Sequence, residues 1–206
     1  MIETALLATD DPRALPAAVR IIRQGGLIAF PTDTIYGVAG DPSNPEALRK
    51  IYQAKERPDE KALPILIGAF DQLAGLVSDL PQRVEAIAKA FWPGPLTLVL
   101  PKNPALPPEL SAYPTVGVRM PDLAFTLALL GQTGPLATTS ANLSGGPNPT
   151  SAQDVLGQLG GRIDLILDGG PTPGPTASTV ADVSTDEIKI LREGPISLSD
   201  LTHLSR

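Results

Sequence analysis

Cysteine is absent from the 206-residue chain, and histidine occurs once, at His203. Without cysteine there is no disulfide scaffold and no thiolate zinc site. One histidine cannot make a multi-histidine metal site, and a Ser-His-Asp triad would have to rest on His203 alone. Aromatic residues make up only 4%, so stacking platforms for single-stranded nucleic acid are few. Positive charge is also in deficit: 16 Lys and Arg against 22 Asp and Glu give a net charge of −6, which leaves room for a local basic surface and not a global one. No apolar run approaches bilayer-spanning length, and the acidic start MIETALLATDDPR lacks a basic segment followed by an apolar core, so the chain is expected in the cytoplasm, off the membrane. The chemistry that remains is positioning and charge neutralisation, with a hard cation such as Mg2+ held mainly by substrate phosphates.

Hydrophobic content of 42% is enough for a substantial core, and the 23 Pro and 19 Gly are dispersed as turn punctuation, so one domain is expected over residues 1–206, without linker or repeat. DDPRALPAAVRIIRQGG has helical spacing with a Gly25–Gly26 stop, and NPEALRKIYQAKERP begins on an Asn44 cap with Pro45 in the first turn. PQRVEAIAKAFW, PDLAFTLALLG, SAQDVLGQLGG and SLSDLTHLS are further helical patterns. Residues 27–32 and the runs ALPILIG, PLTLVLP, TVGVRMP, PLATTSAN, RIDLILDGG, STVADVS and IKILREG read as strands. The mixed order predicts an α/β fold, a twisted sheet with parallel and antiparallel strands flanked by helices.

Several of these runs end in cations or hydroxyls: Thr32 and Thr34, Lys55 and Arg57 with Lys61 nearby, Arg119, Thr138 to Asn142, Ser178 and Thr179, and Arg192. Taken singly, each has an ordinary explanation, such as Lys55 and Arg57 complementing a helix dipole or Thr32 and Thr34 acting as strand formers. If the ends converge, they form a concave basic cleft suited to a nucleoside triphosphate, with Arg and Lys neutralising phosphate oxygens and hydroxyls adding direction. No P-loop is present.

The ordered blocks PTDTIYG, KER with Lys61 following, WPGPLTLVL, VGVRMP, TTSANLSG, STVADV and ILREG resemble the YrdC/TsaC family of threonylcarbamoyl-AMP synthases, over about residues 10–195. The resemblance implies a single YrdC-like domain and a nucleotidyltransferase that joins L-threonine, bicarbonate and ATP into threonylcarbamoyl-AMP and pyrophosphate, the first step of threonylcarbamoyladenosine modification of tRNA. It places the family's K-x-R and S-x-N motifs on Lys55, Arg57, Ser140 and Asn142, as phosphate and reaction-centre contacts. It carries over Lys61, Thr115, Asn148 and Arg192 as further ATP contacts. L-Threonine would lie against Thr34, Tyr36, Arg119, Thr138 and Ser178, its carboxylate bound two-pronged by Arg119. The implied partners are the threonylcarbamoyl transferase complex acting on tRNA and, weakly, RNA itself.

Where some family members carry a histidine in the strand after K-x-R, this chain has Leu66. The chain resembles the short form of the family, without the extra C-terminal domain of longer relatives. Two other readings are an RNA-binding module with a basic concave surface and a carbamoyl-adenylate-forming domain. Trp92 is expected to pack under a turn and His203 to be exposed; Asp33 and Glu56 belong to no carboxylate cluster, so no metal ligand is assigned.

Overall fold

A computed structural model of the chain describes residues 3–58, 61–174 and 176–203. Its strands are β1 (Ala5–Ala8), β2 (Ile28–Phe30), β3 (Gly37–Gly40), β4 (Ile65–Leu66), β5 (Leu96–Pro101), β6 (Thr115–Arg119), β7 (Leu136–Ser140), β8 (Leu165–Asp168), β9 (Thr179–Asp182) and β10 (Lys189–Arg192). Its helices are α1 (Ala14–Arg23), α2 (Pro45–Lys55), α3 (Gln82–Phe91), α4 (Ala124–Thr133), α5 (Ala152–Leu159) and α6 (Leu198–Thr202). All ten strands join one sheet in the order β1-β8-β2-β3-β7-β4-β6-β5-β9-β10. Parallel pairs (β1 with β8, β2 with β8, β4 with β6, β5 with β9) share the sheet with antiparallel ones, as the mixed-sheet expectation has it. Among the described residues no helix is long and apolar enough to cross a membrane.

The sheet is packed on both faces near β2 and β8. Ile28, Phe30, Leu165 and Leu167 point to one side, where they meet Ala14, Ala18 and Ile22 of α1 and Leu129 and Leu130 of α4. Ala29 and Ile166 point to the other, among Leu48 and Ile51 of α2 and Val155 and Leu159 of α5. This two-sided burial is why LILD reads as a continuous apolar run.

Helix starts follow local chemistry. The Asn44 side chain accepts from Glu46 N at 3.0 Å and Ala47 N at 3.3 Å, satisfying two of the amides that a helix end leaves open. Ser151 caps α5 reciprocally with Asp154. α1 begins at Ala14, inside the DDPRALPAAVRIIRQGG pattern, and Asp11 ahead of it accepts from the backbone and guanidinium of Arg13.

Candidate active site

On the β5–β6–β9 side the sheet is two-faced, and strand alternation builds the site. Leu96, Leu98, Leu100, Val116, Val118 and Ala181 enter the core, while Thr97, Val99, Thr115, Gly117, Arg119, Ser178 and Val180 line a cavity of about 420 Å3. A register shift between Ile190 and Arg192 in the β10–β9 pair brings the consecutive residues Leu191 and Arg192 both into its wall, as a bulge does. β7 adds Thr138, Thr139 and Ser140. Gly37 of β3 lies against them, where an added Cβ would sit 2.7 Å from Thr138 Cγ2, so only glycine fits without moving the threonine.

Arg119 anchors one end. Its side chain is 7% exposed, with Nε donating to Gly94 O at 3.0 Å, Nη1 to Thr34 Oγ1 at 2.9 Å and Nη2 to Asp33 Oδ1 at 2.5 Å. The hydroxyls behind it have a fixed polarity. Thr32 donates its proton to Ile35 O at 2.7 Å, so across the 3.0 Å Thr32–Thr34 contact Thr34 is the donor. Thr34 therefore meets any ligand as an acceptor, and so does Thr138, whose own proton goes to Leu136 O. Burial lowers the Arg119 pKa and the Asp33 carboxylate opposes that shift. Nε and one N–H on each terminal nitrogen are engaged within the protein, which leaves one N–H on Nη1 and one on Nη2.

Arg192 is joined to this end through Ser178, with Nε donating to Ser178 O and Nη2 to Ser178 Oγ, each at 3.0 Å. Ser178 Oγ also shares a 2.9 Å hydrogen bond with Thr97 Oγ1. Burial and then the like charge of Arg119 lower the Arg192 pKa, so the two guanidinium groups feel each other. Arg57 is held by the carbonyls of Lys61 and Ala62 at 3.2 and 3.0 Å and lines the cavity as well, its pKa lowered by burial. Arg57, Arg119 and Arg192 are the charged members of the lining, which contains no acid among the described residues.

Of the residues expected at the site, Thr34, Tyr36, Arg57, Thr115, Arg119, Thr138, Ser140, Asn148, Ser178 and Arg192 line this one cavity, and Lys55, Asn142 and Lys61 do not. Each short motif splits. In K-x-R, Arg57 faces the cavity, while Lys55 is buried at 1% exposure with Nζ donating to the carbonyls of Ser140 and Asn142. In S-x-N, Ser140 faces the cavity, while Asn142 Nδ2 staples its own loop by donating to Leu143 O and Gly146 O at 2.9 and 2.8 Å. Lys55 also receives Ser144 N on its own carbonyl at 2.8 Å, so both its side chain and main chain hold the segment behind Ser140. Burial, with the nearby Arg57 charge, pushes the Lys55 ammonium down to about 7. Lys61 is exposed and meets the site only by accepting Arg57 on its carbonyl.

Tyr36 is fully buried, its hydroxyl donating to Gly170 O at 2.7 Å and accepting from Gly169 N at 3.2 Å; burial pushes the phenol up to about 12, so it acts as a neutral wall. Leu66 stands beside Arg119 in the β4–β6 register and contributes an apolar patch to the lining. Trp92 is 7% exposed and donates from its indole nitrogen to Leu96 O at 2.7 Å, in keeping with a packing role. The described residues hold no group of three or more His, Asp or Glu that could bind a metal ion. Residues not singled out from sequence also line the cavity, notably Thr97 and Ser111, and the carboxylate of Asp33 stands just behind it. The signal for Thr97 was the alternation in LTLVL; Asp33 carried none beyond its place in a turn.

The Sua5/YciO/YrdC family model, described as telomere recombination, matches residues 20–194. Threonylcarbamoyl-AMP synthase of Bacillus subtilis is 44% identical over 194 residues, covering 93% of this chain and 56% of the relative. That of Pyrococcus abyssi is 42% identical over 187 residues, covering 89% and 55% respectively. The crystal structure of P. abyssi Sua5 complexed with L-threonine superposes with a TM-score of 0.90 at 39% identity, over 99% of this chain and 60% of that one. The chain thus spans a little over half the length of these relatives. With a model match covering most of its residues and this architecture, the chain belongs to the Sua5/YciO/YrdC family.

Proposed function

We propose that the cavity binds ATP and L-threonine side by side and joins them through bicarbonate into threonylcarbamoyl-AMP, with release of pyrophosphate. The observation that carries this reading is the Arg192–Ser178 hydrogen bond. It ties a cation suited to phosphate directly to the hydroxyl cluster beside Arg119, suited to an amino acid, so two ligands held at those groups would meet there. Arg57, Arg192 and Ser140 take the triphosphate; Arg119, Thr34, Thr138 and Ser178 take L-threonine. Thr115 and Asn148 border the nucleotide. Lys55 and Asn142 act from behind, by fixing the segment that presents Ser140. A Mg2+ ion would be carried by the phosphates, where it would spread their negative charge.

The chemistry asks little of acid–base side chains. The threonine amine and bicarbonate give a carbamate and water; a carbamate oxygen then attacks the α-phosphorus, the bond to the β-phosphate oxygen breaks, and pyrophosphate leaves. Alignment in a walled cavity and cationic stabilisation of the developing charge supply the rate enhancement. The product is a reactive mixed anhydride, suited to an enzyme that transfers the threonylcarbamoyl group to tRNA adenosine, which is the partner proposed here.

The test incubates the purified protein with ATP, Mg2+, bicarbonate and L-threonine and follows pyrophosphate and threonylcarbamoyl-AMP by mass spectrometry. Product is expected only when threonine and bicarbonate are both present. Pyrophosphate release driven by carbamoyl phosphate without threonine would favour the carbamoyl-adenylate reading. A salt-sensitive RNA complex indifferent to ATP, with no adenylate formed, would favour the RNA-binding reading.

A further inference from the structure

Of the three charged residues lining the cavity, Arg119 alone has a carboxylate partner among the described residues. Arg57 and Arg192 hydrogen-bond only to carbonyls and to the Ser178 hydroxyl among the contacts described. The partner is Asp33, 13% exposed in its side chain and 2.5 Å from Arg119 Nη2. We infer that Asp33 is a positioning residue that sets the charge of the amino-acid end: it clamps Arg119 and cancels its charge, so that end selects a zwitterion and leaves phosphate to Arg57 and Arg192. This inference rests on the assignment of L-threonine to Arg119.

Three observations support it. The clamp is geometric: with Nε on Gly94 O, Nη1 on Thr34 and Nη2 on Asp33, the guanidinium plane cannot turn, and its remaining N–H groups keep one direction. The pair is nearly dry, so the attraction between its members and the repulsion of a further anion by the Asp33 carboxylate are weakly screened. The neighbouring hydroxyls have spent their protons: Thr34 on Thr32 and Thr138 on Leu136 O. A ligand here thus meets N–H donors from Arg119 and lone pairs from the threonines. That pattern matches a carboxylate carrying its own ammonium group and mismatches a phosphate, which brings no donor of that kind and adds charge beside Asp33. An unpaired arginine so near Arg192 would instead make one continuous phosphate site, and a second polyanion could displace the amino acid.

The test uses Asp33→Asn, which keeps an oxygen to accept from Nη2 and removes the charge, beside Asp33→Glu, which keeps the charge. L-Threonine and inorganic pyrophosphate, as the anion probe, are titrated separately and in competition by calorimetry. In Asp33→Asn, pyrophosphate is expected to bind about tenfold more tightly and to compete with L-threonine, whose apparent affinity in its presence falls about tenfold. Asp33→Glu should recover most of the threonine affinity. A purely structural role would weaken both ligands together. That result, or wild-type affinities for both, overturns the inference. Should Asp33→Asn fail to fold, the double variant Asp33→Asn with Arg119→Gln carries the test: the local charge is again zero, so pyrophosphate affinity should match wild type, and a tenfold change would overturn the idea. If wild-type protein binds pyrophosphate and ignores L-threonine, the assignment of threonine to Arg119 fails, and the pyrophosphate arm still decides whether Asp33 sets the local charge.

Discussion

The two halves of the sheet are built from similar strands put to different use. In β8, Leu165, Ile166 and Leu167 are all buried, because helices cover both faces. In β5, Leu96, Leu98 and Leu100 are buried in the same way, yet Thr97 and Val99 between them line a cavity. The closed half can be optimised for packing alone. The open half must keep hydroxyls and guanidinium groups at a desolvated surface, and it does so by tying each guanidinium to backbone, Arg119 to Gly94 O, Arg57 to Lys61 and Ala62 O, Arg192 to Ser178 O, and by pairing hydroxyls with one another, Thr34 with Thr32 and Thr97 with Ser178. Stability and chemistry are thereby assigned to different strands.

The largest expected effect tests the closed half. Leu165→Ala empties a site that is 1% exposed and packed against α1, and should cost about 2–5 kcal/mol of stability. Chemical denaturation measures this directly. Below the transition, kcat/KM per folded molecule should match wild type, because Leu165 faces away from the cavity. A selective loss of activity would break the division between the halves.

Arg57→Ala tests the open half. Its guanidinium bonds only to two neighbouring carbonyls in the contacts described, so little stability is lost. Removing a cation expected to meet the triphosphate should lower kcat/KM for ATP about a hundredfold, while the denaturation midpoint moves little. Steady-state kinetics beside a melting curve separates the outcomes, and an equal fall in both would place Arg57 with the structural residues.

How far this division was legible in the sequence depended on the range of the interactions. Asn44 and Pro45 announced α2 because capping is local, and the short aliphatic runs PLTLVLP and TVGVRMP, bounded by proline, announced β5 and β6 because that punctuation is local too. β1 was not visible: ALLA is short, and its residues are mostly exposed at the sheet edge. β3 was hidden by its two glycines, one required by the approach of Thr138 from β7, a neighbour that no local pattern names. The site was legible as a set of residues through the family blocks, and its internal roles were not. Adjacent motif positions diverge because Glu56, at φ 51°, turns the chain out of α2 between Lys55 and Arg57. Asp33 stood in no carboxylate cluster and its role was not legible, because its partner lies 86 positions away.

Lys55 belongs to neither half, and it offers the finest test of the comparison. It leaves the end of α2, a helix that packs in the core, yet its ammonium sits one carbonyl behind Ser140 of the cavity wall. Burial and the Arg57 charge lower its pKa to about 7, so above that pH the free protein carries mostly a neutral amine, whose two N–H groups reach the Ser140 and Asn142 carbonyls and leave Asn142 Oδ1, at 3.5 Å, to the third proton of the ammonium. A triphosphate in the cavity would favour the protonated form and raise that pKa. The sign follows from linkage: nucleotide binding takes up a proton between the free pKa and the higher bound pKa, so affinity falls as pH rises through that window, by at most about tenfold per unit. Calorimetry at pH 8 in buffers of different ionisation enthalpy should register uptake approaching one proton per ATP bound. Lys55→Met should abolish the uptake, and Lys55→Arg, charged throughout, should flatten the pH dependence while retaining tight binding. Uptake that persists in Lys55→Met would place the titrating group elsewhere and return Lys55 to the closed half as a brace alone.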